Sequence, residues 1–343
     1  MAGTTANNQL GVSVIIATRN RAAELRVTLE SLRHQSFEAD SYEVVVVANG
    51  CSDDTASVLG DLATKMNLVP EYLDHAGKSA ALNRGMQLAG GQLLVFTDDD
   101  VLFSQSWLAE FSRASHTYRD AAGFCGPITP LYPKETPLWI RQHPFRVPGF
   151  AEVSLPASEP QPCPWYLLPF GPNFAVRAER ARGLLFRTDL GASDANGPIS
   201  CEDSDFASRF REMAGPIWFL PDALVGHRVR SEQITVPWML ERAFTLGRSL
   251  IAQRIPETSC HPPAWYVNWH PAYWNDFDHN LIINFILGQL SQCERRQVEC
   301  NHIAAEIRQL LPKIVPRNFS ASLSKSAEIF VISETCEALN YLL

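Results

Sequence analysis

The sequence is short of positive charge: 29 Lys and Arg stand against 37 Asp and Glu in 343 residues, a formal net charge of −8. Without a broad basic face a protein cannot displace counterions from a phosphate backbone, so sequence-independent nucleic-acid binding is excluded and only a local basic pocket is left. No apolar run approaches the ~20 residues of a membrane-spanning helix. The first residues, MAGTTANNQL, have neither a basic nor an apolar segment of the secretory kind. The eight cysteines, at 51, 125, 163, 201, 260, 293, 300 and 336, form no C-x-x-C pair and no zinc-spaced cluster, and read as reduced thiols. The expected location is therefore cytoplasmic, with peripheral contact at the inner face of a membrane as the variant. Neither G-x-G-x-x-G nor G-x-x-x-x-G-K-[ST] occurs, which disfavours a Rossmann dehydrogenase and a P-loop enzyme.

What is present is ample apolar material, 46% of residues, in a chain long enough for one large α/β domain with an appendage, or for two domains. Residues 12–17 (VSVIIA) and 43–47 (EVVVV) read as buried strands. Between them Leu25, Leu29 and Leu32 share one helical face. A short strand near 68–73 leads into the helix former GKSAALNRGMQLA, and that into LLVF at 93–96. Alternating strands and helices predict a mainly parallel sheet covered on both faces, with ligand outside the carboxyl ends of the strands. Three loops then meet in one crevice: Thr18-Arg19-Asn20, Ala48-Asn49-Gly50 and Asp98-Asp99-Asp100.

Three consecutive carboxylates at the end of a buried strand repel one another. They read either as a solvated turn or as ligands for a hard divalent cation. Farther on, SCEDSDFASRFRE (200–212) predicts a helix with Phe206 and Phe210 on one face. Glu202 and Asp203 at its start fit either the helix dipole or catalysis. Residues 133–170 are rich in proline and aromatics, including Trp165 and Tyr166, and read as an ordered functional loop. The aromatics of HPPAWYVNWHPAYWNDF (261–277) read as core, or alternatively as an acceptor platform or a membrane-touching patch.

Taken in order, VSVIIATRNR, EVVVVANGCSDDT, GKSAALNRGMQLAGGQLLVFTDDDV, GPNFAVR, CEDSDFASRF and the histidine of VGHRV resemble the family 2 glycosyltransferases over roughly residues 11–230. The resemblance implies a GT-A fold: a Rossmann-like, mixed but mainly parallel sheet with helices on both faces. It implies a flexible 1–10 and a catalytic domain at 11–230, divided into a nucleotide-binding half (11–100) and an acceptor half (101–230). A mainly helical extension is expected over 231–343.

The same resemblance implies the chemistry. Asp98, Asp99 and Asp100 correspond to the DxD region, which contacts ribose and binds Mn²⁺ or Mg²⁺. Asp99 or Asp100, with His227, would hold the metal. Asp203 would be the general base of an inverting displacement, with Glu202 orienting base or acceptor. Thr18, Arg19, Asn49, Lys78, Asn83, Gly171, Asn173 and Arg228 complete the expected donor site. A family Asp that accepts the uracil N3–H is Ala48 here. Asn49 is expected to offer its amide oxygen instead, so a UDP-sugar is favoured, with GDP and dTDP as alternatives. No Q-x-x-R-W follows the ED helix, so a single addition to a glycan, lipid-linked or small-molecule acceptor is expected rather than processive synthesis. An inactive nucleotide-sugar-binding relative and a sugar-phosphate nucleotidylyltransferase are the competing readings.

Overall fold

The structure is a computed structural model. It describes residues 11–253 and, farther on, Leu281, Asn284, Phe285, Gly288, Gln289 and Ser291. The expectations for 1–10, for the aromatic segment 261–277 and for most of 276–343 lie outside the described residues.

Two compact units divide the chain. One comprises residues 1–134 and 146–229, the other 135–145 and 230–343. In the first, the strand-helix alternation read from the sequence is present: β1 (Val12–Thr18), α1 (Ala22–Arg33), β2 (Tyr42–Asn49), α2 (Thr55–Leu62), β3 (Leu68–Leu73), α3 (Lys78–Leu88) and β4 (Leu93–Thr97). Strands β1, β2 and β4 are buried almost throughout, as strands of a sheet covered on both faces must be.

After β4 come β5 (Val101–Phe103), α4 (Trp107–Thr117), β6 (Gly123–Cys125) and β7 (Ile128–Leu131). In the second unit α5 spans Leu138–Gln142. The first resumes with α6 (Arg146–Phe150), β8 (Gln161–Pro162), β9 (Phe174–Arg177), α7 (Glu202–Ala214), β10 (Ile217–Phe219) and β11 (Val225–Arg228). The main sheet has the order β3-β2-β1-β4-β9-β6-β10-β8. Pairing is parallel from β3 to β4, antiparallel on both sides of β9 and parallel again between β6 and β10. The sheet is thus mixed and mainly parallel.

Among the described residues a second sheet, β5-β11-β7, had no counterpart in the sequence reading, because three- and four-residue strands carry too little periodicity to be seen. Its register matters. Strand β11 runs antiparallel to β5 with His227 opposite Val101, and the Arg228 N–H donates to Asp100 O at 2.9 Å. A histidine 126 positions away in sequence is thereby delivered to the residue after the carboxylate run.

In the second unit α8 (Val236–Gln253) is a long helix at the start of the region expected to be helical, 231–343. At Gly247 of α8 and at Gly288 the two helical backbones approach so closely, against Phe285 O and Phe244 O respectively, that neither position has room for a Cβ.

Candidate active site

Every strand of the β1, β2 and β4 group ends at the same edge, so the loops after them converge. Asp98, Asp99 and Asp100 follow β4 and have different surroundings. Asp98 lines a small pocket open to solvent together with Lys78, Gly171, Glu202 and Asp203. Behind these polar groups stand Leu82, Phe96, Phe174 and Phe186. Phe206 from α7 stacks on Phe186 at 4.1 Å and meets Phe96 edge-on at 5.8 Å. The carboxylates thus stand in front of an apolar wall.

Asp99 is 4% exposed and both its oxygens are engaged within the protein: Thr18 Oγ1 donates to Oδ2 at 2.7 Å and Arg21 NH1 to Oδ1 at 2.9 Å. Burial pushes Asp99 up to about 6, against the pull of Arg21. Its backbone oxygen accepts from Thr28 Oγ1, which in turn accepts from the Val101 N–H, so α1 pins the carboxylate run in place. Asp100 uses its oxygens differently. Oδ2 accepts from the same Arg21 NH1 at 3.0 Å, and Oδ1 faces His227 Nε2 at 3.4 Å.

The imidazole of His227 is buried, with Nδ1 2.8 Å from Phe150 O. A carbonyl accepts only, so Nδ1 carries the proton, and in the neutral ring Nε2 turns a lone pair towards a carboxylate oxygen. Two facing acceptors need a cation or a proton between them. Burial works against the charged imidazolium, yet the hydrogen bond and charge of Asp100 raise His227 above its ordinary value. This is the observation on which a metal fits: one carboxylate and one imidazole that face each other. Among the described residues no three His, Cys, Asp or Glu side chains make a complete shell. Two protein ligands, with the remainder from substrate phosphate and water, is the usual arrangement for Mg²⁺-type sites.

Asp203 sits in the first turn of α7, entered through Cys201 at φ 70°, an uncommon left-handed conformation for a side-chain-bearing residue. The Gly171 N–H donates to Asp203 Oδ2 at 2.7 Å and the Ser204 N–H to Oδ1 at 2.7 Å. Gly171 opens a 3₁₀ turn, Gly171–Asn173, and a Cβ there would lie 3.3 Å from that carboxylate oxygen. Burial, then the neighbouring Glu202, push Asp203 up to about 6, while Lys78 and the two N–H donors oppose the rise. Lys78 Nζ bridges Asp98 Oδ1 at 3.0 Å and Glu202 Oε1 at 2.9 Å.

Asp98, Asp99, Asp100, Lys78, Gly171, Glu202, Asp203 and His227 therefore occupy one edge of the first unit. Several expected donor contacts are otherwise engaged. Asn173 is fully buried and its amide is spent on Pro127 O, Ala223 O and the Trp107 indole N–H. Asn83 exchanges two hydrogen bonds with the Phe186 backbone. Asn49, expected to present its oxygen to a nucleobase, accepts the Gly77 N–H at 3.0 Å and donates to Thr18 O at 2.7 Å, tying β1, β2 and the start of α3 together. Arg228 reaches the Glu24 carbonyl at 3.5 Å, and Arg19 pairs with Asp194 at the surface.

The residue that sequence reasoning missed is Arg21. It lies two positions beyond Arg19, at the entry to α1, and the TRNR string held the signal; only the helix start decides which arginine turns inward.

Comparison with known proteins agrees with this architecture. Residues 13–167 match the family model described as Glycosyl transferase family 2. Over 250 residues the chain is 26% identical to the succinoglycan biosynthesis protein ExoM of Rhizobium meliloti (strain 1021), covering 71% of this chain and 75% of that protein. Among solved structures, the mannosyltransferase PcManGT from Pyrobaculum calidifontis in complex with GDP-Man and Mn²⁺ superposes with a TM-score of 0.52 at 19% identity, over 96% of this chain and 83% of that one. TarS 1-349 of S. aureus in complex with UDP-GlcNAc gives 0.50 at 17% identity, over 81% of each chain. At such identities the structural likeness concerns the GT-A fold.

Proposed function

Since this chain belongs to glycosyl transferase family 2 and is a glycosyltransferase on the GT-A fold, we propose that it moves one sugar from a nucleotide-sugar donor to an acceptor hydroxyl in a single displacement with inversion. The observation that carries this reading is that Asp98 at the end of β4 and Asp203 on α7 line the same pocket beside Gly171. Donor groups bind on the sheet side, with Asp98 towards the ribose. Asp203 accepts the acceptor proton as that oxygen attacks the anomeric carbon from the face away from the leaving diphosphate. Its proton affinity, raised by burial to about 6, leaves it charged at neutral pH and a stronger base than an exposed carboxylate.

Asp100 and His227 would hold a divalent cation, Mn²⁺ or Mg²⁺, which when bound stabilises negative charge on the departing diphosphate as a Lewis acid. Arg21 keeps Asp100 in place by its Oδ2, leaving Oδ1 on the side of His227. The choice of metal is supported by the Mn²⁺ of the mannosyltransferase from Pyrobaculum calidifontis. A UDP-sugar is the favoured donor, with GDP- and dTDP-sugars next. The structural neighbours are bound to UDP-GlcNAc in one case and GDP-Man in another.

The acceptor side is assigned to residues 164–171. Arg211 of α7 donates to Trp165 O and Leu167 O, and Gly171 N–H donates to Asp203, so this segment runs along α7. Eight residues of helix place Arg211 about 12 Å from Asp203. Trp165 and Tyr166, 83% and 65% exposed and packed edge-on, offer ring faces to a glycan or lipid-linked acceptor. The site of action is assigned to the cytoplasm or the inner membrane face. No helix among the described residues is long and apolar enough to cross a membrane.

A donor screen tests the whole reading. Purified protein with Mn²⁺ is offered UDP-, GDP- and dTDP-sugars; metal-dependent binding and slow hydrolysis of one donor class are expected, and an acceptor product of inverted anomeric configuration. Binding of a nucleotide sugar with neither hydrolysis nor transfer would leave the inactive nucleotide-sugar-binding reading, and release of pyrophosphate from a nucleoside triphosphate and sugar phosphate would identify a nucleotidylyltransferase.

A further inference from the structure

Lys78 stands where the donor end of the sheet meets the catalytic helix. It is the first residue of α3, a helix terminus at which the macrodipole disfavours a cation. Two carboxylates account for its presence there: its ammonium lies 3.0 Å from Asp98 Oδ1 and 2.9 Å from Glu202 Oε1, so one side chain spans the gap between β4 and α7. The backbone is held too, since the Lys78 N–H donates to Ala192 O at 3.0 Å and the neighbouring Ser79 Oγ to Leu190 O at 2.6 Å. An ammonium has three donors, and two of them already have carboxylate partners within the protein. A lysine so placed is built into the site before any phosphate arrives.

We propose that Lys78 is a positioning residue, a brace that ties Asp98 to Glu202 and thereby holds the neighbouring Asp203 on the acceptor side in its charged form. The proposal rests on the reading of Asp203 as the general base and assigns Lys78 a place in it other than donor phosphate binding. Among the described residues, the charged groups that line the pocket with Asp203 are Glu202 on its own helix, Lys78 from α3 and Asp98 from the end of β4, and the N–H groups of Gly171 and Ser204 donate to it. Without the ammonium, two carboxylates stand uncompensated beside a third against an apolar wall. Asp203 then keeps its proton to higher pH, and the base is blocked near neutrality.

The experiment follows Asp203 directly. Aspartate labelled with ¹³C at the side-chain carboxyl gives a resonance identified by its loss in Asp203→Asn, and its pH titration is compared in wild type, Lys78→Met and Lys78→Arg. The Met variant is expected to move the Asp203 midpoint up by about 1 unit, the Arg variant to stay close to wild type. Affinity for UDP or GDP with Mn²⁺, measured calorimetrically, should change less than about threefold. An unmoved midpoint in Lys78→Met overturns the brace, as does a tenfold or larger loss of nucleotide affinity with the titration unchanged, which marks a phosphate ligand. If Lys78→Met does not fold, Lys78→Gln replaces it: the amide is polar but carries no charge, so the Asp203 midpoint should again rise, and an unmoved midpoint overturns the proposal. Should wild type bind no nucleotide, the donor reading fails while the titration still decides the brace. Near-normal turnover in Asp203→Asn sinks the base and leaves Lys78 with its bridging geometry alone.

Discussion

At the residue scale, two neighbouring aspartates with the same side chain have opposite assignments because their oxygens meet different partners. Both oxygens of Asp99 are engaged by Thr18 and Arg21, whereas Asp100 turns Oδ1 towards His227. Asp99→Ala is therefore expected to lower the unfolding free energy by about 1–3 kcal/mol, the cost of leaving buried donors unpaired, as read by urea denaturation. Asp100→Ala should instead weaken Mn²⁺ binding in the presence of nucleotide, and His227→Ala should weaken it less. Equal effects of the Asp99 and Asp100 variants on metal affinity would contradict the division. For Asp203, the Asn variant should lower kcat by ~10²–10⁴-fold with little change in donor Kd. A base must be deprotonated to act, so wild-type kcat should fall as pH drops through about 6, and the acid limb should vanish in Asp203→Asn. The same raised value means the native state holds this proton more tightly than the unfolded chain, so its contribution to stability declines as pH rises through that window.

At the scale of elements, the site is assembled by pairings that local sequence does not announce. The β5–β11 register brings His227 beside the carboxylate run, and the 3₁₀ turn at Gly171 docks on the first turn of α7. Behind α7, Phe206 is fully buried between Phe186 and Phe96. Phe206→Ala should cost ~3–5 kcal/mol in denaturant unfolding, through lost transfer energy and the cavity left behind. The loop that carries Trp165 differs, because that ring is 83% exposed and its truncation removes little packing. Trp165→Ala should raise the acceptor KM several-fold while donor hydrolysis and the melting temperature stay near wild type; equal loss of both activities would mean that the ring supports the fold and not the acceptor.

For the whole molecule, the charge balance offers a linked test. The chain is acidic, yet its proposed ligand is a polyanion, and the described site supplies mostly carboxylates with Arg21 and Lys78 already paired. Nucleotide binding should therefore depend on the divalent ion that offsets this repulsion. With Mn²⁺ present, a nucleoside diphosphate at one hundred times its Kd should stabilise the protein by about 2.7 kcal/mol, seen as a raised melting temperature. EDTA should abolish both that shift and turnover, and Mn²⁺ or Mg²⁺ should restore them. A nucleotide-induced shift that survives exhaustive chelation would show that Arg21 and Lys78 bind the diphosphate without metal.

The α/β alternation, the buried parallel strands and the helix that opens with Glu202 and Asp203 were legible in the linear sequence, because each rests on periodicity or on a run of adjacent residues: apolar strands of five to eight residues, Leu25, Leu29 and Leu32 at helical spacing, Phe206 and Phe210 one turn apart. What the tertiary structure alone decided is which polar groups face each other. Arg21, rather than Arg19, turns to the aspartates; the amides of Asn49, Asn83 and Asn173 serve backbone groups; Lys78 reaches across to Glu202; and the short β5-β11-β7 sheet carries His227 to Asp100. Those choices depend on contacts between residues tens to more than a hundred positions apart, where a side chain's partner is set by the packing of elements and leaves no periodic trace along the chain.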